Sequence, residues 1–185
     1  QGPQSLETAE RTPFCARGHR CGMNKEGHVL NAALLGIGLG FVLEPSGTVE
    51  TLRTAVAVAV PVTLGALFPD VDTAFGKHRK TLHNLPILGL FAAFPFVFGN
   101  LGYVWIGVFT HYVLDYLGSR RGIALLYPLS SQEYGFPSGV KTSSRFANAV
   151  TLVVTAIELA AAAAIVHVLP RYVDLGWASR LPLPA

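Results

Sequence analysis

The chain has 185 residues, enough for one domain, and its composition differs from that of soluble proteins. Hydrophobic residues make up 51% of it and charged residues only 14%, against roughly 25% charged in soluble domains. The net charge of +3 comes from basic residues scattered over predicted loops, so no nucleic-acid partner is expected. We therefore predict a membrane protein.

The first 22 residues differ from the rest of the chain. Residues 1–22 are polar and contain no apolar run long enough for a secretory signal, so we expect a disordered N-terminal extension. The hydrophobic pattern begins after Met23, which we expect to be the natural start. We predict a membrane domain over 23–170 and a C-terminal tail over 171–185.

Five apolar segments predict an all-α polytopic bundle of about five membrane helices. In chain order they cover 28–43, 54–68, 86–98, 101–117 and 146–169. Only the fifth reaches the roughly 20 residues of a membrane span, whereas the others would be about 20–26 Å long. The short segments require a thin bilayer, helix ends beyond these bounds, or entry into the membrane without crossing.

Glycine and proline predict where these helices pack and end. Gly36, Gly38 and Gly40 favour close packing of the first helix against its neighbours. Pro69 disfavours helical geometry at the residue before it, so the second helix should end just before Asp70.

The lysine and arginine residues predict an orientation. With a cytoplasmic N terminus, eleven basic residues lie on the cytoplasmic side and three, Arg53, Arg171 and Arg180, on the other. The positive-inside rule therefore favours a multi-pass protein of the cell (inner) membrane in this orientation.

Seven residues that bind metals well lie at the helix ends which this orientation brings to the cytoplasmic face. Buried carboxylates and imidazoles are costly without a partner, and one divalent ion can pair with several of them. Nitrogen and oxygen ligands without thiolate favour zinc, with manganese or iron as alternatives. We predict two or more ions, held by His28, Asp70, Asp72, His78, His83, His111 and Asp115.

Local spacing supports a shared site. His111 and Asp115 are one helical turn apart and can hold one ion or two neighbouring ones. Asp70 and Asp72 alternate, so in an extended chain both carboxylates would point the same way.

The linker between the second and third helices carries two histidines and three basic residues. His78 and His83 can share a site only if the linker is not a regular helix, because five residues correspond to about 140° around one. Arg79 lies between them and could bind a phosphate in bidentate fashion, with Lys80 beside it. The open alternative for Lys77–Lys80 is an anchor to anionic lipid.

Four stretches of the chain resemble the YdjM-like family of membrane-bound metal-dependent hydrolases. The likeness extends from about Met23 to Pro170, with one departure, Leu82-His83-Asn84, where the family often has Thr-His-Ser. The family is distantly similar to zinc-dependent phospholipase C, an all-helical enzyme. The stretches are Leu67-Phe68-Pro69-Asp70-Val71-Asp72, His78-Arg79-Lys80-Thr81-Leu82-His83, Thr110-His111-Tyr112-Val113-Leu114-Asp115 and Gly122-Ile123-Ala124-Leu125-Leu126-Tyr127-Pro128.

This resemblance and the residue chemistry together predict an enzyme that cleaves a phosphoester with a metal-activated water. Arg79 and Lys80 would hold the phosphate, and Asp72 or Asp70 would act as a general base. A site at the membrane face suggests membrane lipid as a partner and a lipid or lipid-linked phosphate as substrate.

Two other functions stay open. Glu158 in the fifth helix could serve ion or solute transport, or it could be hydrogen-bonded to a neighbouring helix. The metal could also be structural in a non-catalytic scaffold, although seven ligands exceed the four that a structural zinc needs. The loop over 118–145 could act as a lid or rest at the membrane interface.

Overall fold

The computed structural model describes residues 25–118, 122–137 and 146–173. These residues contain no β-strand, only an isolated bridge between Ile123 and Tyr134. The predicted all-α bundle of about five helices is confirmed, while the predicted extension and the tail beyond Val173 lie outside the described residues. The five helices are α1 (Lys25–Leu43), α2 (Val49–Leu67), α3 (Leu85–Ala92), α4 (Val104–Gly118) and α5 (Ala147–Ala163).

The first two helices are longer than the apolar segments that predict them. Each has 19 residues and is therefore about 28 Å long, because both continue past the predicted bounds. Within the described residues, three stretches are long and apolar enough to cross a membrane: Glu26–Leu43, Val49–Ala74 and Ala147–Arg171. The helix α3 has only eight residues and α4 has fifteen.

Small residues bring α2 into backbone contact with both α1 and α4, while α5 packs against α1 and α4, and α3 against α4. Gly36 of α1 lies against Ala59 of α2. Between α2 and α4, Gly65 faces the Val104 carbonyl and Gly107 faces the Val62 carbonyl, with no room for a Cβ atom at either glycine. Close approach of this kind is how helices associate in lipid, where no hydrophobic effect drives them together.

Large apolar side chains cover the outside of the bundle. On α2, Val56, Val60 and Leu64 recur every four residues and are each more than half exposed. Such a stripe costs little in a membrane, because lipid chains are as apolar as the side chains themselves. Inside, the α1–α2 contact buries Ala32, Leu35, Leu39, Val58, Val62 and Ala66.

The helix directions bring a common set of ends together. Gly27 lies beside Thr151, and near the other ends of α1 and α5 the Val42 carbonyl is 2.8 Å from His167 Nε2. The two helices are therefore parallel, and the short 44–48 connection makes α2 antiparallel to α1. The start of α1 and the end of α2 thus share one end of the bundle.

The segment after α2 departs from the predicted conformation. The helix α2 ends at Leu67, before Asp70 as predicted, but Pro69–Ala74 then forms a 3₁₀-helix. The expectation of extended chain at Asp70 and Asp72 is therefore wrong. With three residues per turn, the two carboxylates point about 120° apart. Asp70 Oδ1 lies 3.8 Å from His111 Nε2, whereas Asp72 contacts His78 and His83.

Candidate metal centre

All seven predicted ligands lie at the same end of the bundle. His28 comes from the first turn of α1, the two aspartates of the 3₁₀-helix follow α2, and the remaining residues come from the linker and α4. All are buried except His78, whose side chain is about a quarter exposed at 26%. The linker over 77–84 consists of turns and bends, which meets the condition for His78 and His83 to share a site.

Six of the seven fall into three groups in which the ligand atoms lie within 4.8 Å of one another. Each group could hold a metal ion, and neighbouring groups share members. Asp72 belongs to none of the three. The groups are His28, Asp70 and His111; Asp70, His78 and His83; and His83, His111 and Asp115.

Two histidine rings face each other with their Nε2 atoms 3.1 Å apart. His111 Nδ1 donates to the Ala66 carbonyl at 2.7 Å, and His83 Nδ1 donates to Asp72 Oδ2 at 3.1 Å. Since these oxygens can only accept, the neutral rings would turn two Nε2 lone pairs toward each other. The contact is stable only with a proton or a metal cation between them.

The surroundings of His83 favour a proton on this ring. Burial lowers the pKa of His83, but the nearby carboxylates of Asp115 and Asp72 outweigh burial and raise the pKa above its usual value. His83 Nε2 is 3.4 Å from Asp115 Oδ2. A cation and this proton would therefore compete for the same nitrogen.

Three buried polar atoms in the cluster have no hydrogen-bond partner within the described part of the chain: His28 Nδ1, His28 Nε2 and Asp115 Oδ2. The His28 ring stacks on His111 with centroids 3.8 Å apart, and its Nε2 lies 3.5 Å from Asp115 Oδ1. Leaving such atoms unpaired costs free energy. Divalent cations would pair with one nitrogen of His28 and with Asp115 Oδ2, so the residues present fit a metal ion.

Asp72 holds two histidines at once. Its Oδ1 accepts from His78 Nδ1 at 3.0 Å, and its Oδ2 accepts from His83 and, at 3.4 Å, from the Leu82 amide. The side chain is fully buried. These contacts are typical of a carboxylate that orients metal-binding histidines from behind.

Arg79 places a cation inside the cluster. Its side chain is buried, and Nη2 lies 3.3 Å from Asp115 Oδ1. Its φ of 66° is in the left-handed region, which costs a residue with a side chain about 1 kcal/mol or more, and the Ala124 amide holds its carbonyl at 3.0 Å. One guanidinium does not balance the three carboxylates of the site, which leaves negative charge for a metal ion.

The structure does not bring Lys80 to the cluster. Its ammonium pairs with the Glu133 carboxylate at 3.3 Å and the Ser131 carbonyl at 3.2 Å. Both partners belong to the described part of the 118–145 loop, which packs on the linker through Arg79 and Leu85.

Sequence reasoning missed two residues that shape the linker. Tyr112 donates its hydroxyl to the Leu82 carbonyl, and its ring lies 5.9 Å from that of His83. Asn84 caps α3, accepting from Ile87 N at 3.1 Å. The Asn84 cap has a sequence signal, an asparagine just before Leu85-Pro86, whereas no spacing predicts the contact of Tyr112.

Glu158 lies outside the seven-residue cluster. Its carboxyl oxygens are 2.7 and 2.8 Å from the Thr110 hydroxyl and 3.3 Å from the Asn31 amide. Of the two sequence-based interpretations of Glu158, the structure agrees with a carboxyl group that is hydrogen-bonded to neighbouring helices.

The profile of the YdjM inner membrane protein family matches residues 23–178, which is most of the chain. No curated protein and no solved structure matches the chain. The distant similarity to phospholipase C stays an expectation from the resemblance.

Proposed function

Because the chain belongs to the YdjM inner membrane protein family, we propose that it is a membrane-bound metal-dependent hydrolase. Its substrate in this proposal is a phosphoester of a lipid or a lipid-linked molecule. The apolar helices agree with a membrane location. A multi-pass topology with the metal centre at the cytoplasmic face is part of the proposal and rests on the distribution of basic residues.

One observation carries the proposal: buried imidazole and carboxylate groups lie against one another, and several of their atoms make no hydrogen bond to a described residue. Asp115 Oδ2 and both nitrogens of His28 have no hydrogen bond, and the Nε2 atoms of His83 and His111 are 3.1 Å apart. Divalent cations would bind one nitrogen of His28, Asp115 Oδ2 and the facing Nε2 atoms, and so offset much of the cost of burying them.

The proposed ligands are His28, Asp70, His78, His83, His111 and Asp115. Their nitrogen and oxygen atoms suit zinc first, with manganese or iron as alternatives. Bound there, the metal would lower the pKa of a water and balance charge that develops on a phosphoester. Asp72 keeps the hydrogen on Nδ1 of His78 and His83 and so leaves each Nε2 free to bind.

Arg79 and Asp70 have the remaining roles. The guanidinium of Arg79, already inside the cluster, would bind the phosphate oxygens in bidentate fashion. Asp70 is the most exposed of the three carboxylates at 8%, and with half-buried His78 it marks the side open to solvent. Asp70 would therefore accept the proton of the attacking water more readily than fully buried Asp72.

A structural metal is the second candidate, and burial favours it. His28, His83, His111 and Asp115 are each at most 2% exposed, as expected of a closed site that ties helix ends together. The two candidates agree on the ligands and differ on reaction with a substrate.

The test is phosphate release by metal-loaded protein in nanodiscs, with phosphatidic acid and p-nitrophenyl phosphate as probes. We expect turnover that stops when a chelator removes the metal. Arg79→Lys should lose about 10-fold or more of it, because an ammonium cannot make the bidentate contact.

Arg53→Lys is the matched control, since Arg53 is an exposed arginine of α2 paired only with Glu50 in the same helix. It should leave turnover unchanged. Protein that keeps its metal but hydrolyses neither probe would contradict the hydrolase and favour the structural metal.

A further inference from the structure

Asn31, Thr110 and Glu158 form a second polar cluster, the interhelical cluster, which the proposed hydrolase does not use. Asn31 belongs to α1, Thr110 to α4 and Glu158 to α5. The first two are 1% exposed. The Thr110 hydroxyl lies 2.9 Å from Asn31 Oδ1 as well as against both oxygens of Glu158.

Counting hydrogens shows that this cluster lacks one if Glu158 is ionised. The Thr110 hydroxyl has a single hydrogen but lies within hydrogen-bond distance of oxygens from both Asn31 and Glu158. If Thr110 donates its hydrogen to Glu158, the Thr110 hydroxyl oxygen and Asn31 Oδ1 lie in contact with no hydrogen between them. Turning the Asn31 amide over only moves the problem, because its oxygen then faces Glu158 Oε2 at 3.3 Å.

A proton on Glu158 completes the cluster in either orientation of the amide. With the amide as placed, the Glu158 acid donates to Thr110, Thr110 donates to Asn31 Oδ1, and Asn31 Nδ2 donates back to Glu158. A neutral acid also avoids the cost of a charge among apolar helices.

We infer that Glu158 is a neutral carboxylic acid that closes a hydrogen-bonded ring across α1, α4 and α5, and that this ring positions His28 against His111. Glu158 is thus a positioning residue, not an ion carrier. The second half of the inference rests on the proposed metal centre but not on hydrolysis.

The position of His28 depends on how α1 sits against α4. Neither ring nitrogen of His28 makes a hydrogen bond to a described residue. The ring contacts α4 in two ways: it stacks on His111, whose own Nδ1 is fixed by Ala66, and its Nε2 lies 3.5 Å from Asp115 Oδ1. The interhelical cluster holds the same two helices close by. Asn31 is one turn after His28, and Thr110 directly precedes His111.

The proton is tested by infrared difference spectroscopy of the full chain in nanodiscs at neutral pH, wild type against Glu158→Gln. We expect a carboxylic-acid C=O band that Glu158→Gln removes. A carboxylate pair of bands in its place would overturn the neutral assignment, whether or not the protein binds metal.

The positioning role is tested by titration with Co²⁺, whose visible spectrum reports the geometry of its ligands. Thr110→Val and Glu158→Leu should weaken Co²⁺ binding about 10-fold or more and change the spectrum. Glu158→Gln and Thr110→Ser keep the hydrogen-bonding groups and should both behave as wild type.

Thr155→Val is the matched control, because the buried Thr155 hydroxyl bonds only to Thr151 of its own helix; it should bind Co²⁺ as wild type does. Wild-type affinity and spectrum in Thr110→Val would overturn the positioning role, and so would equal loss in Glu158→Gln and Glu158→Leu. Failure of the wild type itself to bind Co²⁺ would instead refute the proposed metal centre.

Discussion

Asp72 links two histidines of the cluster through their Nδ1 atoms. Each of its oxygens takes one Nδ1 hydrogen, from His78 at 3.0 Å and from His83 at 3.1 Å. The sequence identifies Asp72 as part of a metal site because it is one of seven metal-binding residues that the predicted topology brings to one face. It does not reveal that Asp72 orients ligands, because that depends on the 3₁₀ geometry of Pro69–Ala74.

Asp72→Asn should therefore weaken Co²⁺ binding about 10- to 100-fold. An asparagine offers one oxygen and one NH₂ group, so it cannot accept from both histidines and one ring must turn or change tautomer. Equilibrium titration followed by the Co²⁺ spectrum measures the loss.

Glu133→Gln is the control for Asp72→Asn. Glu133 belongs to the 118–145 loop, and its carboxylate pairs with Lys80 of the linker, which is not one of the seven ligands. Wild-type affinity in Asp72→Asn would show that the carboxylate has no orienting role.

At the scale of elements, the contact between α2 and α4 delivers a backbone group to the site. Gly65 and Gly107 let the two helices touch. Ala66 follows Gly65 in α2, and His111 lies one helical turn after Gly107 in α4. The Ala66 carbonyl therefore accepts a hydrogen bond from His111 Nδ1 at 2.7 Å. The packing of two helices thus fixes which nitrogen of His111 is available to a metal.

Gly107→Val should therefore lower both stability and metal affinity. A Cβ at Gly107 would meet the Val62 carbonyl and lie 2.7 Å from Ala66 N, so the helices must separate. Such overpacking typically costs about 1–3 kcal/mol, which thermal unfolding in detergent measures.

Gly89→Val in α3 is the control for Gly107→Val, because an added Cβ there meets no atom within 4 Å of the described chain. Equal melting temperatures and equal Co²⁺ affinities for the two variants would contradict the account of this contact.

The elements themselves are largely readable from the sequence. Apolar runs predict all five helices, and Pro69 predicts the end of α2, because hydrophobic length and proline sterics are local properties. The chain after Pro69 was predicted as extended and is a 3₁₀-helix, because proline is compatible with both conformations. The start of α2 at Val49, before the predicted 54, lies in polar residues capped by Thr48, where the apolar pattern is silent.

On the scale of the whole molecule, alternating helix directions gather residues from distant parts of the chain. The sequence predicts this gathering, because helices that cross a membrane in turn place every second connection on one face. It cannot predict the individual contacts, such as Arg79 on Asp115 or Lys80 on Glu133, because these depend on the fold of the linker and the loop. Membership of the YdjM inner membrane protein family covers the same residues but does not identify the metal or the substrate.

The metal content of the purified protein tests the central claim most directly. Elemental mass spectrometry should find at least about two zinc or manganese ions per wild-type chain, and fewer ions in the His111→Ala, Asp115→Ala double variant. His167→Ala should keep the wild-type content, because His167 lies near Val42 at the other end of α1. Substoichiometric metal that the double variant does not change, even after reconstitution with excess ion, would contradict the metal centre.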